Sequence, residues 1–116
     1  MTTATKLPSW YEGLEESLPA SLSDFHGPYD GEVDLPVHVA WSGNTHFDLS
    51  RDSSRYAMYH IVIVQAVGDD VARYLHPTHL LNDWDKICMR FGRGYRNAWH
   101  ARYPELAEAA RQAGWT

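Results

Sequence analysis

Prolines and glycines divide the second half of the chain into short segments with apolar residues at helical spacing. Pro77 and Pro104 stand where the first turn of a helix tolerates proline, and Gly114 is expected to end the helix that Pro104 starts. Gly92 and Gly94 interrupt the pattern between them and predict a break there. The apolar positions of the first of these helices are Leu80, Leu81, Trp84, Ile87 and Cys88, and those of a helix from Tyr95 to Tyr103 are Tyr95, Ala98, Trp99 and Tyr103.

The segment from Ser50 to Val67 contains the β-branched run at positions 61–64, which fits a buried strand as well as a helix. We favour a helix because its apolar residues follow a period of 3.6 and Gly68 suits its end. Asp48, Ser50 or Asp52 is expected to cap its start. The apolar set is Tyr56, Tyr59, Ile63, Ala66 and Val67. A short amphipathic helix over 69–75 is expected next, with Val71, Tyr74 and Leu75 inward.

Residues 31–49 have the period of two that is typical of strands. Apolar residues at 33, 35, 37 and 39 alternate with other types, and Phe47 and Leu49 provide the inward positions of a returning strand. The tetrapeptide at 41–44 has turn chemistry, so a β-hairpin is predicted. Pro36 lacks an amide donor, which places it on an edge strand or at a bulge.

Before the hairpin, residues 1–30 are rich in proline and small polar residues and predict an N-terminal arm with a short helix at 10–17. Residues 31–116 are expected to form one α+β domain, in which the hairpin precedes a compact bundle of four or five helices. A chain of 116 residues can build one core without disulfides, and its lone Cys88 fits a reducing compartment. With no long apolar run or secretory signal pattern, we expect a cytoplasmic protein that does not enter membranes.

Charge is distributed unevenly along the chain. Residues 1–50 contain one basic and eight acidic side chains, whereas residues 51–116 contain nine basic and seven acidic ones. The region 86–102 has five basic side chains and no acidic one, and Arg90, Arg93 and Arg96 alternate with aromatic rings and glycines. This composition suits phosphate and unpaired bases. Alternatively the rings pack inward and the arginines are solvated, and the net charge of −5 disfavours general nucleic-acid binding.

Candidate chemical groups are few. His76, His79 and Asp83 have a spacing that zinc permits, although such a set is common by chance and His76 next to Pro77 suits a helix cap. Cys88 falls on an apolar helix face, where burial makes a thiol inert. No nucleophile motif or dinucleotide-binding loop occurs, so we expect no enzyme activity and no cofactor.

Several stretches resemble a group of small uncharacterised actinobacterial proteins over about residues 28–106. The most distinctive is Leu-Pro-x-His-x-Ala-Trp-Ser-Gly at 35–43, and the others are 47–49, 69–75 and 98–106. The matching positions include no recognised catalytic residue. Genes of this group often lie beside a gene for a nucleotidyltransferase-type toxin. The resemblance therefore implies an antitoxin-like or accessory role in a toxin-antitoxin or defence system.

The leading hypothesis is a non-enzymatic protein-binding module. Five Trp and seven Tyr exceed what one small core easily hides, so some are expected at an interface with a protein partner or in a homodimer. Trp10, Trp41 and Trp115 are expected to be exposed, because each lies at an end or a turn. An acidic, aromatic arm is suited to a basic cleft of a co-encoded toxin. The predicted contacts are Trp10, Tyr11, Glu12, Glu15, Glu16, His38 and Trp41. The alternatives are a nucleic-acid-binding regulator that uses the basic 86–102 segment and a small metal-dependent enzyme.

Overall fold

A two-stranded hairpin precedes five helices in the computed structural model, which describes residues 18–40, 45–66, 69–90 and 92–114. The strands β1 and β2 are antiparallel. This architecture confirms the predicted α+β class with a bundle of helices. The elements are β1 (Glu32–Asp34), β2 (His46–Asp48), α1 (Asp52–Gln65), α2 (Asp69–Tyr74), α3 (Pro77–Ile87), α4 (Arg93–Arg102) and α5 (Pro104–Gln112), with 3₁₀ turns at Leu22–Asp24 and Cys88–Arg90.

The hairpin is shorter than the alternating pattern predicts. Val33 pairs with Phe47, both side chains are buried, and the amide of Leu35 adds a last bond to the carbonyl of Thr45 at 2.8 Å. Beyond Pro36 the chain turns, and Val37 is 75% exposed. The prediction of a strand with Val37 inward is therefore wrong, because proline cannot donate to the ladder. The predicted turn at 41–44 lies outside the described residues.

The ambiguous segment is a helix, α1, as predicted. The buried side of this helix includes Met58, Tyr59, Val62 and Ile63. Its β-branched residues therefore reach the core as part of a helix and not of a strand. The expected caps are wrong: Arg51 occupies the N-cap position, and no side chain caps the helix. The carboxylate of Asp48 instead accepts hydrogen bonds from the amide and hydroxyl of Ser50 at 3.0 and 2.7 Å, which forms a local turn before the helix.

Helices α3 and α5 begin at Pro77 and Pro104, as the sequence predicts, and Gly114, with a positive φ of 101°, follows the end of α5. Helix α4 begins earlier than predicted. It starts at Arg93, with Gly92 at the N-cap, so Gly94 lies inside its first turn. A glycine near the end of a helix interrupts it less than one in the middle, where its backbone entropy is most costly. None of the helices within the described ranges has the length and apolar content needed to cross a bilayer.

Four aromatic side chains form the centre of the core between α3, α4 and the segment before the hairpin. The rings of Trp84 and Trp99 stack at 5.7 Å, and Phe25 meets the edge of Tyr103 at 5.5 Å and lies 5.9 Å from Trp99. All four side chains are at most 4% exposed. These contacts fix α4 to α3 with one face buried and the other toward solvent.

The segment before the hairpin is bound to the region of α2 and to the end of α4. The hydroxyl of Tyr103 donates to the carbonyl of Pro19 at 2.7 Å, and Arg102 donates to the same oxygen at 3.2 Å. Farther along, the amides of His26 and Gly27 donate to carbonyls at the end of α2, at 2.9 and 2.8 Å. Residues 1–17, which include the predicted helix at 10–17, lie outside the described residues.

Candidate functional site

The exposed face of the hairpin has two carboxylates on either side of one imidazole. Glu32 and Asp34 lie two residues apart on β1 and therefore share a face. Opposite them on β2, His46 places Nε2 2.7 Å from Oε1 of Glu32 and Nδ1 2.8 Å from Oδ1 of Asp34. The carboxylate side chains are 65% and 75% exposed. We refer to Glu32, Asp34 and His46 as the acidic hairpin face.

The two hydrogen bonds of His46 favour its charged form. Carboxylates only accept hydrogen bonds, so both ring nitrogens must donate, and only an imidazolium has two N–H groups. The hydrogen bond to Asp34, followed by that to Glu32, raises the pKa of His46 above its ordinary value of 6.5. The face therefore has a net charge of −1 while His46 is protonated and −2 once it loses the proton.

The first prediction concerns this titration. Asp34→Asn is expected to lower the pKa of His46 toward 6.5, because the strongest acceptor of its proton loses its charge. Since the folded pKa is raised, the contribution of His46 to stability is fully present below about pH 6.5 and is lost as the pH rises through the folded value. NMR titration of the imidazole measures the shift. Asp30→Asn is the control, and equal pKa values in the two variants would contradict the assignment.

Two apolar side chains are exposed near the ends of β1. Tyr29 is 50% exposed, and its ring stacks on His79 at 4.2 Å and 12°. Val37, in the turn after β1, is 75% exposed. Aromatic residues are enriched at protein interfaces, so exposed Tyr29 is a candidate contact. Tyr29 was not selected from the sequence; the Asp30-Gly31 turn signal immediately before β1 is the only local feature that points to an exposed position.

His38 is the one predicted partner contact within the described residues. It lies in the turn after Pro36, and its Nε2 donates to Oδ2 of Asp70 at 2.8 Å. Asp70 also accepts from Arg73 at 3.0 Å, so the turn is attached to α2. His38 remains 64% exposed. The other predicted contacts, Trp10, Tyr11, Glu12, Glu15, Glu16 and Trp41, lie outside the described residues, as does Trp115.

The residues considered for zinc are engaged in hydrogen bonds of the fold. His76 caps α3, because its Nδ1 accepts from the amide of Thr78 at 3.0 Å. His79 donates from Nε2 to the carbonyl of Tyr29 at 2.7 Å, and its Nδ1 lies 3.7 Å from Asp83. Within the described ranges, no group of three or more His, Cys, Asp or Glu side chains is arranged to hold a metal ion.

Asp83 has a different partner, which sequence reasoning missed. Arg55 is only 8% exposed and donates from Nε to Asp83, from Nη1 to the carbonyl of Leu49 and from Nη2 to Asp52, each at 2.9 Å. These bonds connect α1 to α3 and to the end of the hairpin. The spacing of Asp52 and Arg55 indicates a helical ion pair, but nothing in the sequence connects Arg55 with Asp83, 28 residues away.

The basic segment 86–102 divides into structural and surface arginines. Arg102 is held by backbone carbonyls of residues 18 and 19, whereas Arg93 is exposed and Arg96 is half-buried on α4. Tyr95 packs against the core, with its hydroxyl 3.5 Å from the carbonyl of Val64. The inward alternative is therefore correct for this ring. The side chain of Arg90 and the whole of Phe91 lie outside the described residues.

Cys88 has the environment that the sequence predicts. The thiol is fully buried in the core, and burial raises its pKa to about 11. A thiol rather than a thiolate is then present at neutral pH, and a thiol is a poor nucleophile.

Comparisons with protein-family models, with curated proteins and with solved structures found no match to this chain.

Proposed function

We propose that the protein is a non-enzymatic binding module that docks its acidic hairpin face on a basic surface of a protein partner. The most concrete partner is a co-encoded toxin or defence enzyme, which the module would neutralise in the manner of an antitoxin. The proposal joins the geometry of the hairpin to the resemblance described from the sequence. The partner's cleft would normally accept nucleotide or tRNA phosphates, and carboxylates compete for the same cations.

The observation that supports this proposal is the fixed position of two exposed carboxylates on a rigid element. The hydrogen bonds to His46 hold both side chains, so less side-chain entropy is lost when a partner binds. Buried Val33 and Phe47 attach the strands to the core beneath them. The face therefore presents two carboxylates that are both hydrogen-bonded to one imidazole.

The internal use of the reactive groups also supports binding over catalysis. His76 and His79 hydrogen-bond to the backbone, and Asp83 neutralises buried Arg55. A general base must reach the proton that it removes, and a nucleophile needs an adjacent base. Glu32 and Asp34 each accept one hydrogen bond from His46 and retain further acceptor positions, which suits recognition of cations and donors.

The second prediction tests the proposal by coexpression. The product of the neighbouring gene is expected to arrest growth alone and to be tolerated with this protein. Neutralising the face with Glu32→Gln and Asp34→Asn should weaken the purified complex at least about tenfold, because two charge-assisted contacts of roughly 1 kcal/mol or more are lost. Growth rescue and isothermal titration calorimetry provide the two measurements.

The matched control removes two exposed acids elsewhere, with Asp69→Asn and Glu105→Gln. It changes the net charge equally and should leave the affinity unchanged. If the neighbouring product is harmless alone, or if the purified proteins fail to bind each other, the proposal is wrong. Equal weakening by both double variants would show that overall charge, and not the hairpin, determines affinity.

A further inference from the structure

Strand β1 lies at an edge of the hairpin, because β2 is its one strand neighbour in the described ranges. Its bonds to β2 come from alternate residues. Leu35 donates to the carbonyl of Thr45 and Gly31 accepts from the amide of Leu49, each at 2.8 Å, and Val33 lies midway between Gly31 and Leu35. In an antiparallel ladder, the backbone of β1 therefore faces β2 at the odd-numbered positions and faces away from it at the even-numbered ones.

The two strand residues that face away from β2 are Glu32 and Asp34. Both are exposed, and their backbone groups form no hydrogen bond within the part of the chain that the structure describes. We refer to these two amides and two carbonyls as the open edge of β1. The outer edge of β2 is occupied instead, since the amide of Asp48 donates to the hydroxyl of Ser54 at 2.9 Å and its carbonyl accepts from Arg51 at 3.1 Å. A third strand can therefore be added next to β1.

The side chains of β1 determine which kind of strand fits there. Directly opposite residues of two antiparallel strands place their Cβ atoms about 5 Å apart on the same face. A strand added to the open edge would thus place two side chains across from Glu32 and Asp34, where Lys or Arg would pair with the carboxylates. The residue between them would lie opposite Val33, which is buried, so its side chain is directed to the apolar side of the sheet. The pattern that fits is basic, apolar, basic.

A second copy of the protein is a poor occupant of the same edge. Any register that joins two open edges places a carboxylate of Glu32 or Asp34 opposite another carboxylate, and like charges at directly opposite positions are destabilising. The net charge of −5 adds repulsion between whole molecules. Charged side chains on a short edge strand are a common protection against such self-pairing. Charge complementarity therefore selects a basic strand.

We propose that the open edge of β1 binds an extended basic segment of the partner as a third, antiparallel strand. Hydrogen bonds of the main chain provide the geometry in this mode of recognition, and alternate side chains provide the specificity. Four backbone bonds at Glu32 and Asp34 would be joined by two ion pairs to their carboxylates. The inference rests on the proposed function for its choice of a protein partner, and it names the element of that partner that meets the acidic hairpin face.

The third prediction uses a synthetic peptide, Thr-Thr-Arg-Val-Arg-Thr-Thr with blocked ends, and the full-length protein. The peptide is expected to bind and to slow hydrogen exchange at the amides of Glu32 and Asp34, because these amides gain acceptors. Exchange measured by NMR reports each amide separately. The amides of Val33 and Leu35 already face β2, so their exchange should change far less. Binding through side-chain charge alone would leave this contrast absent.

The matched control is a pair of methylated peptides of equal charge. Methyl groups on both arginine amides remove the donors that would reach the open edge, and they should weaken binding at least about tenfold. Methyl groups on the valine amide and on the amide of the threonine that follows the second arginine face away from β1. This second peptide should retain the affinity of the unmodified one within about threefold.

Three outcomes would overturn the inference: no binding of the unmodified peptide, equal weakening by the two methylated peptides, or unchanged exchange at Glu32 and Asp34. A dimer of the protein that the peptide dissociates would assign the edge to a second copy and would overturn it as well. If the peptide adds as a strand while the neighbouring gene product does not bind, the partner proposal alone fails. If that product binds with exchange at Glu32 and Asp34 unchanged, the third strand alone fails.

Discussion

Gly27→Ala is expected to destabilise the protein by about 3 kcal/mol or more, because a Cβ at this position overlaps the backbone of another segment. It would lie 2.3 Å from the carbonyl carbon of Tyr74 and 2.5 Å from the amide nitrogen of Leu75. Backbone atoms cannot rotate aside as a flexible side chain can. Relieving the overlap also stretches the 2.8 Å hydrogen bond from the Gly27 amide to the carbonyl of Leu75. Urea denaturation measures the loss.

Gly31→Ala is the matched control for this substitution. Gly31 has a positive φ of 89°, but no atom lies within 4 Å of an added Cβ. Its replacement should cost about 1 kcal/mol through backbone strain alone. A Gly27→Ala protein as stable as the control would contradict the close packing of this segment against the end of α2.

Arg55→Met is expected to cost about 3 kcal/mol, because it leaves a buried carboxylate and a buried carbonyl without their donor. The side chains of Arg55 and Asp83 are 10% and 13% exposed, so water replaces the lost bonds poorly. Asp52 contributes little to the effect since it is 73% exposed. Thermal and urea unfolding should agree on the direction.

A second variant separates the ion pair from simple packing. Arg55→Met combined with Asp83→Leu removes both charges, and it should recover most of the loss because no isolated charge remains buried. Arg111→Met, which breaks an exposed pair with Glu108, should change stability by no more than about 0.5 kcal/mol. If the single variant at Arg55 behaves like that control, the buried network contributes little to stability.

The helices were predictable because their signals are local. Pro77 and Pro104 mark the starts of α3 and α5, and the helical period of Tyr56, Tyr59 and Ile63 outweighs the β-branched run. The hairpin was predicted too long because Val37 fits the alternation of apolar residues along the strand. The strand ends before Pro36, however, and Val37 is exposed. Alternation describes which side chains could share a face, but a missing amide determines where the ladder ends.

The candidate site was less predictable because its contacts join distant positions. His46 meets two acids of the opposite strand, and that pairing depends on a register that no single residue determines. The sequence indicated His38 and the basic segment by residue type alone. It did not show that His38 bonds to Asp70, or that Arg102 of the basic segment bonds to the backbone carbonyl of Pro19.

The bond from Tyr103 to Pro19 joins positions separated by 84 residues. A contact between positions this far apart closes a long loop, and contacts of this kind slow folding. The segment at 18–25 is synthesised before α4, so Phe25 lacks its ring partners Trp99 and Tyr103 until those residues are made. Its ring is therefore expected to be available to a chaperone during that part of translation.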